Sequence, residues 1–240
     1  MHLDVLFLPL ELDARSRPQR VAVVIDVIRA TTTIVTAFRQ GARSVAPVAS
    51  VEEARRTRES APGALLAGER GGQRLPGFDL GNSPREFTPE AVRGQDVILT
   101  TSNGTKTLRA VQEGRSVAIG ALLNRAAIGR WLLGRGEDAV IVCSGYEGAF
   151  SLEDAVCAGA VVDGLAAEGP SVALGDGARA SQVLWARYAP DLPGLLRGTG
   201  WGRHIVEIGL GADLDVCAQL DVTDVVPIMK GGRITLAGGQ

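Results

Sequence analysis

The chain has 240 residues, 45% hydrophobic and 22% charged, which suits one large α/β domain or two small ones with a real core. Its formal net charge of −2 carries no bulk signal for nucleic acid or a membrane surface. Aromatic residues at 4% offer no row of platforms for stacking bases.

The chain opens with an apolar stretch at 5–10, preceded by Asp4 and broken by Pro9. It is too short for a signal peptide or a membrane span and lacks a basic start, so a cytoplasmic protein is expected. Short apolar runs then recur at 3–8, 21–25, 45–48, 64–67, 97–99, 117–119 and 139–143. Consecutive apolar positions of that length predict strands buried on both faces. Helical patterns fall between several of them, at 31–39, 51–59, 105–112 and 124–133. The alternation predicts βαβ units and a mostly parallel or mixed sheet covered by helices: a single domain over 1–240, built as a three-layer αβα sandwich. Residues 68–88 are rich in Gly and Pro and too long for a simple connection, which points to function. Helices are predicted at 152–167, 177–188 and 201–209, then a closing strand at 225–229 with a hairpin partner near Ile234.

In open α/β sheets ligands bind beyond the carboxyl ends of the strands, so the residues following each run carry the chemistry. Asp26 follows the second run, with Arg29 and then Thr31, Thr32 and Thr33 opening a helix. A carboxylate beside hydroxyls and free N–H groups can hold a cation and an oxyanion. Equally, Thr31 could cap the helix and Asp26 bond a nearby loop. Glu69 and Arg70 stand among Gly68, Gly71 and Gly72; they offer a metal ligand and an anion clamp, or simply a salt-bridged surface turn. Farther on, Ser83-Pro84 with Glu86 reads as a capping box, leaving Asp79, Asn82 and Arg85 for other work. Thr100-Thr101-Ser102-Asn103-Gly104-Thr105-Lys106 is a strand–loop–helix turn with more hydroxyl and amide side chains than one cap needs, which favours phosphate binding. Glu153 and Asp154 open a helix; they suit either its dipole or a cation.

Several chemistries lack their residues. Cys143, Cys157 and Cys217 form no CxxC pair, which argues against zinc and fits a reducing compartment. None of the three has an Arg six positions on, as a cysteine phosphatase requires. Ile28 stands two positions after Asp26, so the Asp-x-Asp of haloacid-dehalogenase phosphatases is absent. His2 is terminal and His204 isolated in a helical stretch, so a histidine metal set is not expected.

Five blocks, in order, resemble the signature of the 2-phosphosulfolactate phosphatases: 26–33, 68–72, 77–84, 100–105 and 152–160. The tail, with Asp215, Cys217 and Pro227, fits as well. Lys106 stands where that family carries Arg, and Ser144-Gly145 where it carries Ala-Gly. The resemblance implies an αβα fold and a Mg²⁺-dependent phosphatase converting 2-phosphosulfolactate to sulfolactate and phosphate, a step of coenzyme M synthesis. Its partner would be a small anionic phosphorylated substrate, and no nucleic acid or membrane. Whether the chain forms a homo-oligomer is open at this level.

On that basis Asp26, Glu69 and Asp79 are the expected catalytic residues and Mg²⁺ ligands, with Glu153 and Asp154 as further metal ligands. Substrate and phosphate would be held by Arg29, Thr31, Thr32, Arg70, Arg85, Thr101, Ser102, Asn103, Gly104 and Thr105. Rival readings are a phosphatase for another small phosphorylated 2-hydroxy acid and a non-catalytic anion-binding module.

Overall fold

The computed structural model describes residues 1–12, 21–112, 116–168 and 172–237. Every residue from Val21 to Ile25 is fully buried, which a strand achieves only with packing on both faces. The apolar runs become strands β1 (His2–Leu6), β2 (Val21–Ile25), β3 (Ser44–Pro47), β4 (Leu65–Arg70), β6 (Asp96–Thr100), β7 (Ser116–Gly120) and β8 (Ala139–Cys143). With β5 (Gln73–Arg74), β9 (Ala173–Leu174), β10 (Pro227–Lys230) and β11 (Arg233–Leu236) they form one sheet, ordered β5-β4-β6-β3-β11-β10-β7-β2-β8-β1-β9. The β10–β11 hairpin is inserted antiparallel between β3 and β7, so the sheet is mixed.

Helices follow the strands: α1 (Ala30–Arg39), α2 (Val51–Ser60), α3 (Pro89–Val92), α4 (Gly104–Val111), α5 (Arg125–Arg135), α6 (Leu152–Glu168), α7 (Asp176–Tyr188), α8 (Leu192–Gly198), α9 (Gly200–Glu207) and α10 (Ala212–Cys217). Alternation along each strand feeds two cores. Val21, Val23, Ile25, Ile141 and Cys143 pack with Ile128, Val161 and Leu165 of α5 and α6. Ala22, Val24, Val140 and Val142 pack with Ile34 and Leu108 of α1 and α4 on the other face. The architecture is α/β, with helices on both sides of the sheet, as the sequence predicts.

Some local expectations shift. The first strand ends at Leu6, two residues early, because a 3₁₀ turn follows at Pro9–Leu12. The segment 68–88 folds back along β4: Asp79 and Leu80 N–H groups bond Leu66 O, and Gly68 N–H bonds Leu80 O. Ser83 does not cap; Pro84–Glu86 is a single 3₁₀ turn, and Glu86 instead accepts from Gly81 N–H. Helices α3, α8 and α10 had no clear periodic signal, since seven residues or fewer span barely two turns.

Candidate active site

Asp26 ends β2 and Glu69 lies in β4, with β6, β3, β11, β10 and β7 between them in the sheet order. The two acids nevertheless line one cleft at the carboxyl edge of the sheet. The link is a shared core. Val45, Ala67, Val97 and Leu99 of one wing and Ala22, Val24 and Val140 of the other pack around α1 and α4, so strand-end loops distant in the order converge.

Local bonding fixes each acid. Asp26 is 8% exposed and its Oδ1 accepts the Ala30 N–H at 3.2 Å, at the start of α1. Its Oδ2 faces Gly104, where a Cβ would stand only 2.6 Å away. Glu69 accepts the Ser102 N–H at 2.7 Å and the Gly72 N–H at 2.8 Å, tying the β4 and β6 loops together. Asp154 accepts the N–H groups of Val27 at 2.8 Å and Gly145 at 3.2 Å. Glu153, also buried, stands beside Asp154 in the first turn of α6.

Four buried carboxylates thus meet at one edge. Burial pushes the Asp26 carboxyl up to about 7; the Ala30 N–H opposes this, while Glu69 and Glu153 add to it by like-charge repulsion. Burial raises Glu153 as well. Asp154 is pushed well above the usual carboxylate range by burial, then by Asp26 and Glu153. Such an arrangement is costly unless a cation or a proton joins it.

The expected substrate-binding residues divide. Thr101, Ser102, Asn103 and Arg29 line the same cleft as Asp26 and Glu69. Thr101 and Thr105 cap α4 reciprocally: Thr101 Oγ1 accepts the Thr105 N–H at 3.1 Å, and Thr105 Oγ1 accepts the Thr101 N–H at 3.2 Å. Thr105 is fully buried, so its hydroxyl does structural work. Asn103, the formal N-cap, makes no capping bond with its side chain.

Other expectations need correction. Asp79 is outside the cleft: it is exposed, bonded to Arg58 at 2.9 Å and to the Leu66 N–H at 2.8 Å. The hydroxyls of Thr31 and Thr32 donate to the carbonyls of Asp26 and Val27, and both residues are fully buried. Arg29 is no free clamp; its guanidinium is paired with Asp213 and donates to Gly72 O. Arg70 is exposed and bonded to Glu69 O and Thr100 Oγ1. Arg85 is exposed on the 3₁₀ turn and does not line the cleft. Each correction has one cause: spacing shows which residues follow a strand, not which way they point.

The sequence reading missed Asp213, Trp201, Tyr146 and the contacts of His204, and gave Asn82 no role. Asp213, fully buried in α10, bonds Arg29 at 2.6 Å and Ser83 Oγ at 2.7 Å. Its signal was an acid among Leu210, Leu214 and Cys217 on an otherwise apolar helical face. Trp201 of α9 lines the cleft; His204 stacks on it at 4.7 Å and Tyr146 at 4.8 Å. His204 Nε2 lies 3.1 Å from Gly71 O, so this histidine is not isolated. Asn82 lines the cleft with a buried Oδ1 that has no hydrogen-bond partner.

Among the described residues no three His, Cys, Asp or Glu side chains are gathered tightly enough to enclose a metal ion. A hard cation such as Mg²⁺ takes one or two carboxylates and completes its shell with water and substrate oxygens. Asp26, Glu69 and the orphaned Asn82 Oδ1 fit such an ion in donor type. The cleft between them measures about 10 Å³, room for one small ion or water. Among the described residues no helix is long and apolar enough to cross a membrane.

A family model described as 2-phosphosulpholactate phosphatase matches residues 6–232. The chain belongs to this family. It is accordingly a phosphoric monoester hydrolase. Similar chains include one from Carboxydothermus hydrogenoformans, 40% identical over 242 residues (all of this chain and 99% of the relative). Another, from Symbiobacterium thermophilum, is 41% identical and covers 90% of this chain and 94% of its own. A third, from a Synechococcus species, is 43% identical with 90% and 92% covered. All three carry the name "Probable 2-phosphosulfolactate phosphatase".

Proposed function

We propose that the chain hydrolyses 2-phosphosulfolactate to sulfolactate and phosphate with Mg²⁺ held by Asp26 and Glu69. The observation that carries this reading is the meeting of buried like-charged acids beside the start of α4, which calls for a cation. Family membership and the relatives' names support the substrate. The same resemblance implies a step of coenzyme M synthesis.

Bound there, Mg²⁺ would act as a Lewis acid and neutralise charge on the phosphoryl oxygens. The chain's own groups do the rest. The N-terminus of α4, with Asn103 and Gly104, donates to a phosphoryl oxygen. Asp154, locked onto two N–H groups, keeps the β2 and β8 loops in register. Glu153, which borders a wider groove beside Trp201, accepts a proton from the attacking water. Trp201, held by stacking on Tyr146 and His204, limits bulk water at the cleft.

The test is phosphate release from 2-phosphosulfolactate by chelator-stripped protein, with and without added Mg²⁺. Release should appear only with the ion. Full activity in excess chelator would remove the metal from the proposal.

A further inference from the structure

The cleft that holds Asp26 and Glu69 is about 10 Å³, too small for any three-carbon acid, so the body of the substrate lies in an adjoining groove. Two grooves share a wall with it. One, about 270 Å³, meets the cleft at Trp201 and is lined by Tyr146, Phe150, Leu152, Glu153 and Thr199. It is aromatic and acidic and offers no cation. The other, about 280 Å³, meets the cleft at Asn103 and is lined by Lys106, Thr107, Ser144, Gly148 and Leu10.

The geometry points to this second groove as the subsite for the substrate's further anionic group, a sulfonate or carboxylate, with Lys106 and Ser144 as its recognition residues. This inference rests on the phosphatase reading above and names how that site selects its substrate. Three independent features converge. Lys106 is exposed and has no ion pair among the described residues, whereas Arg29 and Arg70 beside the cleft are already engaged. Ser144 lines the groove and is 5% exposed, and its buried Oγ has no hydrogen-bond partner among the described residues. A buried hydroxyl in that state awaits an acceptor or donor. Finally, the Asn103 side chain makes no cap bond at the start of α4, which leaves it available to a ligand oxygen. Asn103 borders both spaces, so a phosphoryl group at the cleft and an anionic substituent in the groove would lie on either side of it.

The experiment compares the full chain with Lys106→Met, Lys106→Arg and Ser144→Ala at saturating Mg²⁺. Two probes are used: 2-phosphosulfolactate, and isopropyl phosphate, which keeps the ester but carries neither sulfonate nor carboxylate. Lys106→Met should raise KM for the first by about tenfold or more and change kcat little, because one charge contact is lost on binding. Lys106→Arg should restore most of it. Ser144→Ala should raise KM less and leave Tm unchanged, since the hydroxyl makes no bond within the protein. Isopropyl phosphate, followed as substrate or as competing inhibitor, should not distinguish the variants. An unchanged KM for Lys106→Met, or an equal loss on both probes, overturns the subsite. If the wild-type chain releases no phosphate from 2-phosphosulfolactate, the functional reading fails separately. Calorimetric binding of sulfolactate then decides the groove: binding lost in Lys106→Met upholds it, and equal or absent binding overturns it.

Discussion

Arg29 Nη1 lies 2.6 Å from Asp213 Oδ2, with both side chains 1% exposed. The pair joins the start of α1 to α10, and Ser83 Oγ bonds the second Asp213 oxygen at 2.7 Å. An arginine that reads from sequence as an anion clamp is therefore a structural charge, neutralised by an acid 184 residues away. Asp213→Asn would strand the guanidinium in a dry interior. A loss of about 3–5 kcal/mol is expected. Urea unfolding measures it; a loss well under 1 kcal/mol would mean that Arg29 finds water or another partner.

Asp26→Asn and Glu69→Gln test the acid pair. Each should lower kcat on 2-phosphosulfolactate by about a hundredfold or more, with far-ultraviolet circular dichroism unchanged. Metal-free Asp26→Asn should be no less stable than the parent, because the change removes a charge that burial and Glu69 disfavour. Mg²⁺-dependent turnover at the parent rate in Asp26→Asn would displace this residue from the site.

The Asp26 carboxyl also sets a pH dependence in metal-free protein. Its pKa is raised from the model-compound 3.8 to about 7, so the folded state holds the proton more tightly than the unfolded chain does. Its contribution to stability is full below about 4 and is lost as pH rises through about 7. Metal-free Tm should fall across that interval, and Asp26→Asn should flatten the fall. Thermal melts at fixed ionic strength provide the check; an identical slope in the variant would assign the titration elsewhere.

Gly104→Ala probes the closeness of α4 to the acid. A Cβ there would stand 2.5 Å from the Ala30 Cβ and 2.6 Å from Asp26 Oδ2. Something must shift, at a cost of about 1–3 kcal/mol, and the shift falls on the carboxylate proposed to hold the metal. Both Tm and kcat should drop. Unaltered kinetics would show that Asp26 can move without consequence.

Asp79→Asn is the contrasting case. Its exposed ion pair with Arg58 predicts a loss within about 1 kcal/mol and turnover within about twofold of the parent. A hundredfold fall in kcat would return Asp79 to the machinery.

The layers were legible because the runs at 21–25 and 139–143 are apolar at every position, and only a strand covered on both faces uses that pattern. The hydroxyl-rich turn at 100–105 and the acids Asp26, Glu153 and Asp154 were legible from their places after strands or at helix starts, whereas Glu69 stands inside β4, which runs on past the apolar run at 64–67. Spacing could not show direction. Asp79 and Glu69 are ten residues apart in one Gly-rich segment, and only backbone bonding to Leu66 turns Asp79 away from the cleft. Nor could it show that β2 and β4 converge, since their loops meet through the packing of both wings around α1 and α4.

By itself, then, the order of residues determined the element types, the layering and the chemical kinds available at the strand ends, because periodicity and composition act locally. Tertiary structure alone decided which acids meet, which arginines are already neutralised by partners such as Asp213, and which groove keeps an unpaired Lys106 beside a buried, unbonded Ser144. Those are long-range contacts, fixed by the twist and packing of the whole sheet rather than by any segment's own preference.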